Sequence, residues 1–246
     1  MQTAWIVAVT LAVASPAAAQ VCKPQDFGGA YGVQLTGTTT ISGDAKPVSL
    51  IGRFEFDGKG GVSGSASVNF DGFFLGNPVT GTYEARTDCT IDWSLQDDSG
   101  AWQHFSGTLT PNLQSATFRQ TDPGGASGGT LAKLASQCSD AGFQGSYSFS
   151  IVGTVIPMNP GDTGQKVSYA GNLVADGAGN LALSANGVVT PLGNATVDGD
   201  CMVQMTVTAP SGDVMKLRGV LVAGGKEILA MVTDPGAAVN ARFHVR

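Results

Sequence analysis

The tetrapeptide Thr-Asp-Pro-Gly occurs twice in this chain, at Thr121 to Gly124 and at Thr233 to Gly236, and the residues upstream of both copies align. Phe27, Gly29 and Tyr31 return as Phe143, Gly145 and Tyr147. Gly52, Asp57, Gly58 and Gly60 return as Gly171, Asp176, Gly177 and Gly179. Gly81, Asp88, Cys89 and Gly107 return as Gly193, Asp200, Cys201 and Gly219. The offset runs from 116 to 119 and then falls to 112, so the copies differ by short insertions of the kind that loops accept. A period above roughly 100 residues is too long for solenoid repeats of 20 to 50, so each copy is expected to be a complete domain with its own core.

The cysteines repeat with the module: Cys22 matches Cys138 and Cys89 matches Cys201. Four cysteines allow three connectivities. Duplication favours Cys22 with Cys89 and Cys138 with Cys201, because each module had to fold before it was copied. Closing loops of this size stabilises by about 4 kcal/mol on the chain-entropy account. No CxxC or HExxH spacing is present, so the cysteines read as staples, with no metal and no cofactor expected.

The chain opens with an apolar run over 4–13, then Ser15-Pro16 and the small triplet Ala17-Ala18-Ala19. This is the pattern of a secretory signal peptide over 1–19, cut after Ala19, although its first residues lack a Lys or Arg. Cys22 follows Gln20-Val21 rather than a small residue, which argues against a lipid anchor. No later segment is apolar for long enough to form a transmembrane helix. A net charge of -6 with 13 Lys and Arg leaves no basic stripe for nucleic acid. The expected setting is therefore secreted or periplasmic, an oxidising one. The expected organisation is a first β-barrel over 20–134, a linker over 135–137 and a second β-barrel over 138–246.

With 35 glycines and little charge, the composition could suggest disorder, yet 42% of residues are hydrophobic and they alternate with polar ones. That alternation is the period of a strand with one dry face. Eight strands are expected in the first copy, over 29–38, 48–56, 60–70, 79–86, 89–96, 101–109, 113–121 and 129–134. The second copy repeats them over 145–155, 167–175, 181–190, 194–198, 201–208, 213–222, 226–233 and 239–245. Phe54 and Phe56 share one face of their strand while Arg53 and Glu55 share the other; Ile91, Trp93 and Leu95 are matched by Val203, Met205 and Val207. Gly107 and Gly219 mark a bend of the sort barrel corners need. Tight turns without long crossovers favour two tandem eight-stranded antiparallel up-and-down barrels, with two-sheet β-sandwiches as the alternative.

Gly29-Ala30-Tyr31 and Gly145-Ser146-Tyr147, at the start of each first strand, resemble the Gly-x-Trp opening of lipocalins and the wider calycin group, with Tyr replacing Trp. In that group a late-strand Arg packs over the opening aromatic. Arg242 is the matching candidate in the second copy, and Thr130 stands at its place in the first. Gly-Thr-Tyr before Asp-Cys-Thr, with Thr-Asp-Pro-Gly at the end, also resembles secreted bacterial proteins built from such barrels. The resemblance implies a barrel fold and a binding role, and carries no catalytic residue.

Neither histidine belongs to a site shared by the copies: His104 aligns with Lys216 and His244 with Ala132. The acids that do repeat, Asp57 with Asp176, Asp88 with Asp200 and Asp122 with Asp234, all fall in expected turns, where Asp caps its own backbone. A calcium site would need a DxDxDG spacing that is missing. Aromatic residues concentrate in the first copy. Phe54, Phe56, Trp93, Trp102 and Phe105 are candidates to line a ligand cavity, and Phe73 and Phe74, in an expected loop, to form its lid or a partner-docking point, or else to plug the barrel end. The expected function is that of an exported non-enzymatic barrel protein binding a small apolar ligand in the first barrel. The alternative is a structural or adhesive surface protein with filled barrels, and a barrel isomerase is least favoured.

Overall fold

A computed structural model describes residues 21–41, 44–97, 100–136, 138–156, 164–208 and 212–246. The expected leader and Gln137 of the expected linker lie outside the described residues. The first barrel consists of β1 (Gly29–Ile41), β2 (Asp44–Phe56), β3 (Gly61–Phe70), β4 (Phe73–Ala85), β5 (Thr90–Asp97), β6 (Trp102–Leu109), β7 (Ser115–Gln120) and β8 (Ala126–Lys133). The second consists of β9 (Gln144–Val155), β10 (Gln165–Asp176), β11 (Asn180–Ala185), β12 (Val188–Val197), β13 (Met202–Thr208), β14 (Val214–Val222), β15 (Glu227–Val232) and β16 (Ala237–Val245). In both, each strand pairs antiparallel with the next and the last closes on the first, β8 on β1 and β16 on β9. Closure removes the free edges that a sandwich would keep.

The alternation is realised as the sequence implies. β5 runs Ile91, Trp93, Leu95 inward with the residues between them half-exposed, and β13 turns Val203, Met205 and Val207 inward with Gln204 exposed and Thr206 half-exposed between them. A Cβ added at Gly107 would sit 2.6 Å from the Thr117 carbonyl, and one at Gly219 2.8 Å from that of Leu229, so both glycines admit a close strand approach. The disulfides join Cys22 to Cys89 and Cys138 to Cys201. With its sulfur bonded to Cys89, Cys22 has no thiol to carry a lipid thioether.

Two expectations about strands need correction. The expected strand over 181–190 is broken by Asn186-Gly187, whose φ values of 51° and 78° make the tight turn that joins β11 to β12. Phe73 and Phe74 are not in a loop either. They open β4, and Phe73 pairs with Phe70 across a two-residue turn, Asp71-Gly72. Arg242 does not cover Tyr147: it is ion-paired with Glu227. In the first barrel the cation over the opening aromatic is Lys133, 5.8 Å from the Tyr31 ring centre.

The barrels share a dry interface. β15 is buried at every position, on both faces, because its inner side fills the second barrel while its outer side meets β1 and β2 of the first. Ile51, on the outer face of β2, packs into the apolar cluster of the second barrel. Side chains of both barrels hydrogen-bond across the junction, while the buried Nε of Arg53 and Nδ2 of Asn69 on β2 and β3 have no partner among the described residues. The Gln34 side-chain amide donates to the carbonyls of Ala230 and Ala241, at 2.7 and 2.8 Å. Asn240 donates to the Leu35 carbonyl at 3.0 Å and accepts from the Ser49 hydroxyl. A Cβ on Gly32 would come within 2.6 Å of methyl carbons of Val220 and Val222.

Candidate functional site

The aromatic residues of the first barrel divide into two groups. At the end nearest the disulfide, Phe27, Tyr31, Phe56 and Tyr83 meet edge-to-face or tilted, with ring centres 4.9 to 5.5 Å apart. The Tyr31 hydroxyl donates to the Leu113 carbonyl at 2.7 Å, and burial, with a smaller contribution from Tyr83, pushes its pKa up to about 12. This end is a plug.

Above it, Trp93 stacks on Phe105 at 5.4 Å and meets Phe118 edge-on at 4.7 Å. These three, with Phe54, surround a cavity of about 50 Å³ whose rim carries Asp97 and Gln103. Of the residues singled out from sequence, Phe54, Trp93 and Phe105 come together here. Phe56 belongs to the plug. Trp102 lies outside the barrel, half exposed, because it is two residues from His104 on the outer face of β6. Phe73 and Phe74, 65% and 38% exposed, are not among the side chains that line the cavity. Phe118 was missed; its alternation with Ala116 and Gln120 along β7 was the available signal.

The second barrel has Leu173, Met205, Leu217 and Ala230 where the first has Phe54, Trp93, Phe105 and Phe118, and all four are buried. The hollow between Phe143, Leu181 and Val197 has no room for a water molecule.

An open depression of about 380 Å³ lies on the outer face of β4 to β6. Thr82, Ser94 and His104 form a row across these strands, and His104 Nδ1 lies 2.7 Å from Asp122 Oδ1. The set has the residue types of a hydrolytic triad, but the Ser94 hydroxyl bonds Thr82, at 3.2 Å. Asp122 has a structural task, accepting the His104 backbone N–H at 2.8 Å, and Asp234 does the same for Lys216 at 2.8 Å. Burial works to raise the Asp122 pKa, but the bonds from His104 and Gln120 outweigh it and hold the carboxyl below its ordinary value. Asp57 and Asp176 likewise cap equivalent turns by accepting backbone N–H groups two and four residues on. Among the described residues, no group of three or more His, Cys, Asp or Glu is placed to hold a metal ion.

No family model matches the chain, and no curated protein matches it. Among solved structures it is similar to isotype 1 transferrin binding protein B from serogroup B Neisseria meningitidis, at 7% identity and a TM-score of 0.33, covering 88% of this chain and 75% of that one. It is also similar to a double mutant of the vaccine antigen transferrin binding protein B from Haemophilus parasuis, at 10% identity, a TM-score of 0.33 and the same two coverages. At such TM-scores the likeness transfers no property to this chain. No helix among the described residues is long and apolar enough to cross a membrane. Two disulfides in a chain without free cysteines place it in an oxidising, non-cytoplasmic setting.

Proposed function

We propose that this is an exported, non-enzymatic protein that works through the outer surface of two filled barrels fused into one body, as a secreted or periplasmic binding or adhesive module. The observation that carries this reading is the size of the first barrel's cavity. At about 50 Å³ it is several-fold below the roughly 300 Å³ at which pockets for small organic ligands begin. The side chains that close it, Trp93, Phe105 and Phe118, hold one another by ring contacts, so opening it would break the core. The paired His104 and Asp122 tie the β7–β8 turn to β6 in a way the second copy reproduces without a histidine, which supports a structural role for the pair.

The test is a titration of the mature protein with apolar probes of graded size, following Trp93 fluorescence, together with mass spectrometry of organic extracts of the purified protein. A filled barrel gives no saturable response. A stoichiometric apolar molecule, bound or extracted, overturns the reading and restores the cavity as the site.

A further inference from the structure

The two copies differ in how completely their second strand is covered. In the first barrel β2 pairs with β3 at nine positions, from Val48↔Phe70 to Phe56↔Val62. In the second, β10 pairs with β11 at three, from Leu173↔Leu183 to Ala175↔Leu181. The cause is the drop in offset from 119 to 112. Between the equivalent pairs Val62↔Gly81 and Leu181↔Gly193, the hairpin spans residues 63–80 in the first copy but only 182–192 in the second, seven residues fewer. The missing residues are strand, not loop. β11 turns back at Asn186-Gly187, and the stretch 165–171 of β10 is left paired with β9 alone among the described residues.

Which groups are left unpaired follows from the ladder. β9 directs its even-numbered residues at β16: the Ile156 N–H bonds the Gly236 carbonyl, and the Ser146 carbonyl accepts the Arg246 N–H. Its odd residues therefore bond β10, and through the register Gln165↔Val155 so do the odd residues of β10. Lys166, Ser168 and Ala170 consequently point their N–H and C=O groups away from β9, into the gap. The side chains agree. Tyr169 is opposite Ile151, which is buried, so it lies on the core-side face, as does Gly171 under the Phe149 ring. Yet Tyr169 is 59% exposed. That exposure fits the early departure of β11 from this stretch of β10.

We infer that the 165–171 edge of β10 is a strand-addition site for an extended segment of a partner protein with apolar side chains at alternate positions. This rests on the surface-acting reading above and names the kind of partner. The edge offers three residues' worth of backbone donors and acceptors over about 20 Å, at roughly 3.3 Å per residue. An added strand antiparallel to β10 would satisfy them, and every second side chain would fall beside Val167 and Tyr169 on the apolar inner face, which sets the alternation of the partner. Exposed strand edges are normally blunted or covered. Here the blunting devices are few, since the outward residues Ser168 and Ala170 are small and Lys166 is drawn back to the Thr154 hydroxyl at 3.0 Å.

The first barrel supplies the probe: a capped synthetic peptide with the sequence of residues 66–71, Ala-Ser-Val-Asn-Phe-Asp, which covers Pro47 to Gly52, the positions of β2 that match Lys166 to Gly171. Amide exchange of the full mature chain is followed by NMR with and without it. Saturating peptide should slow exchange at Lys166, Ser168 and Ala170 at least tenfold, and backbone N-methylation of the peptide at alternate residues should weaken binding at least tenfold. Ser168→Pro removes one outward N–H without touching the β9 ladder and should abolish peptide binding with the β circular dichroism retained. No protection at millimolar peptide, or binding indifferent to N-methylation, overturns the proposal. So does protection that appears without peptide as protein concentration rises, which would mean that a second copy covers the edge. These outcomes leave the filled-barrel reading standing, and a bound apolar molecule in the first barrel would defeat that reading without altering the β10 amides.

Discussion

Ile51→Ala should uncouple the two barrels without damaging either one. Ile51 is fully buried, but not inside its own barrel: it projects from the outer face of β2 into the cluster built by β14 to β16. Truncating a fully buried Ile costs about 2–5 kcal/mol, and here nearly all of it falls on the interface. Taking about 3 kcal/mol and a urea slope of about 2 kcal/mol/M, the barrel that leans on the interface loses about 1.5 M in its midpoint. The chain carries its own reporter. Of its three tryptophans, Trp5 lies in the expected leader and Trp93 and Trp102 both lie in the first barrel, so fluorescence reads that barrel while far-ultraviolet circular dichroism reads both. In the native protein the two traces should coincide; in Ile51→Ala they should separate. Ile91→Ala, inside the first barrel, should lower the fluorescence midpoint by a similar free energy as an internal comparison. If Ile51→Ala leaves both traces superimposed and shifts neither by more than about 0.3 M, the coupling argument fails.

Replacing Cys138 and Cys201 together by Ser should destabilise by about 4 kcal/mol, from a bridge spanning a sequence separation of 63, and the loss should appear in circular dichroism before fluorescence; removing Cys22 and Cys89 should reverse that order. Asp57 and Asp176 are held below the ordinary carboxylate pKa, Asp57 chiefly by the backbone N–H of Lys59 and Asp176 chiefly by the Asn180 side chain. A depressed folded-state pKa gives stability that is present above the unfolded value of about 3.9 and is lost as pH falls through the folded value, so Asp57→Asn with Asp176→Asn should flatten the loss of thermal stability below about pH 4. Melting curves between pH 2 and 6 check this, and an unchanged acid limb contradicts it.

The barrel architecture was legible because each of its causes is local: alternation, Asp-Gly and Asp-Pro-Gly turns, and cysteines that repeat with the module. Three things escaped because their causes are not local. Ile228, Leu229, Ala230, Met231 and Val232 form an unbroken apolar run, which is the mark of a strand dry on both faces. Its partner surface carries no such mark, since Gly32, Gln34 and Ser49 read as ordinary outward residues and Ile51 alone breaks the pattern. The candidate cavity was half legible: periodicity assigns Phe54, Trp93 and Phe105 to an inner face, but only packing shows how little space they leave. The open edge of β10 was written in the offset, as seven residues lost between the third and fourth strands; whether such a loss removes loop or strand depends on where the hairpin turns.

The junction between the barrels is built from surfaces that the other copy does not repeat. It joins β1 and β2 of one copy to β14 to β16 of the other, a head-to-tail contact that would add modules without limit if both faces were repeated. Neither is. The outer residues Val220, Leu229 and Met231 correspond to Thr108, Thr117 and Arg119 in the first copy, all exposed. On the receiving side Gly32 and Ile51 correspond to Ser148 and Ala170, also exposed. Ser148 puts a side chain where a Cβ on Gly32 would already lie 2.6 Å from the valine methyls, and Ala170 removes the anchor that Ile51 provides. Restoring both faces together, with Thr108→Val, Thr117→Leu and Arg119→Met plus Ser148→Gly and Ala170→Ile, should yield concentration-dependent oligomers in analytical ultracentrifugation. Restoring either face alone should not, because the opposing surface still clashes or presents charge and hydroxyls to an apolar partner. A folded five-fold variant that stays monomeric at about 100 µM, well above the Kd of a contact of this kind worth about 8 kcal/mol, would show that apolar matching across β1, β2 and β14 to β16 is not what holds the two barrels together.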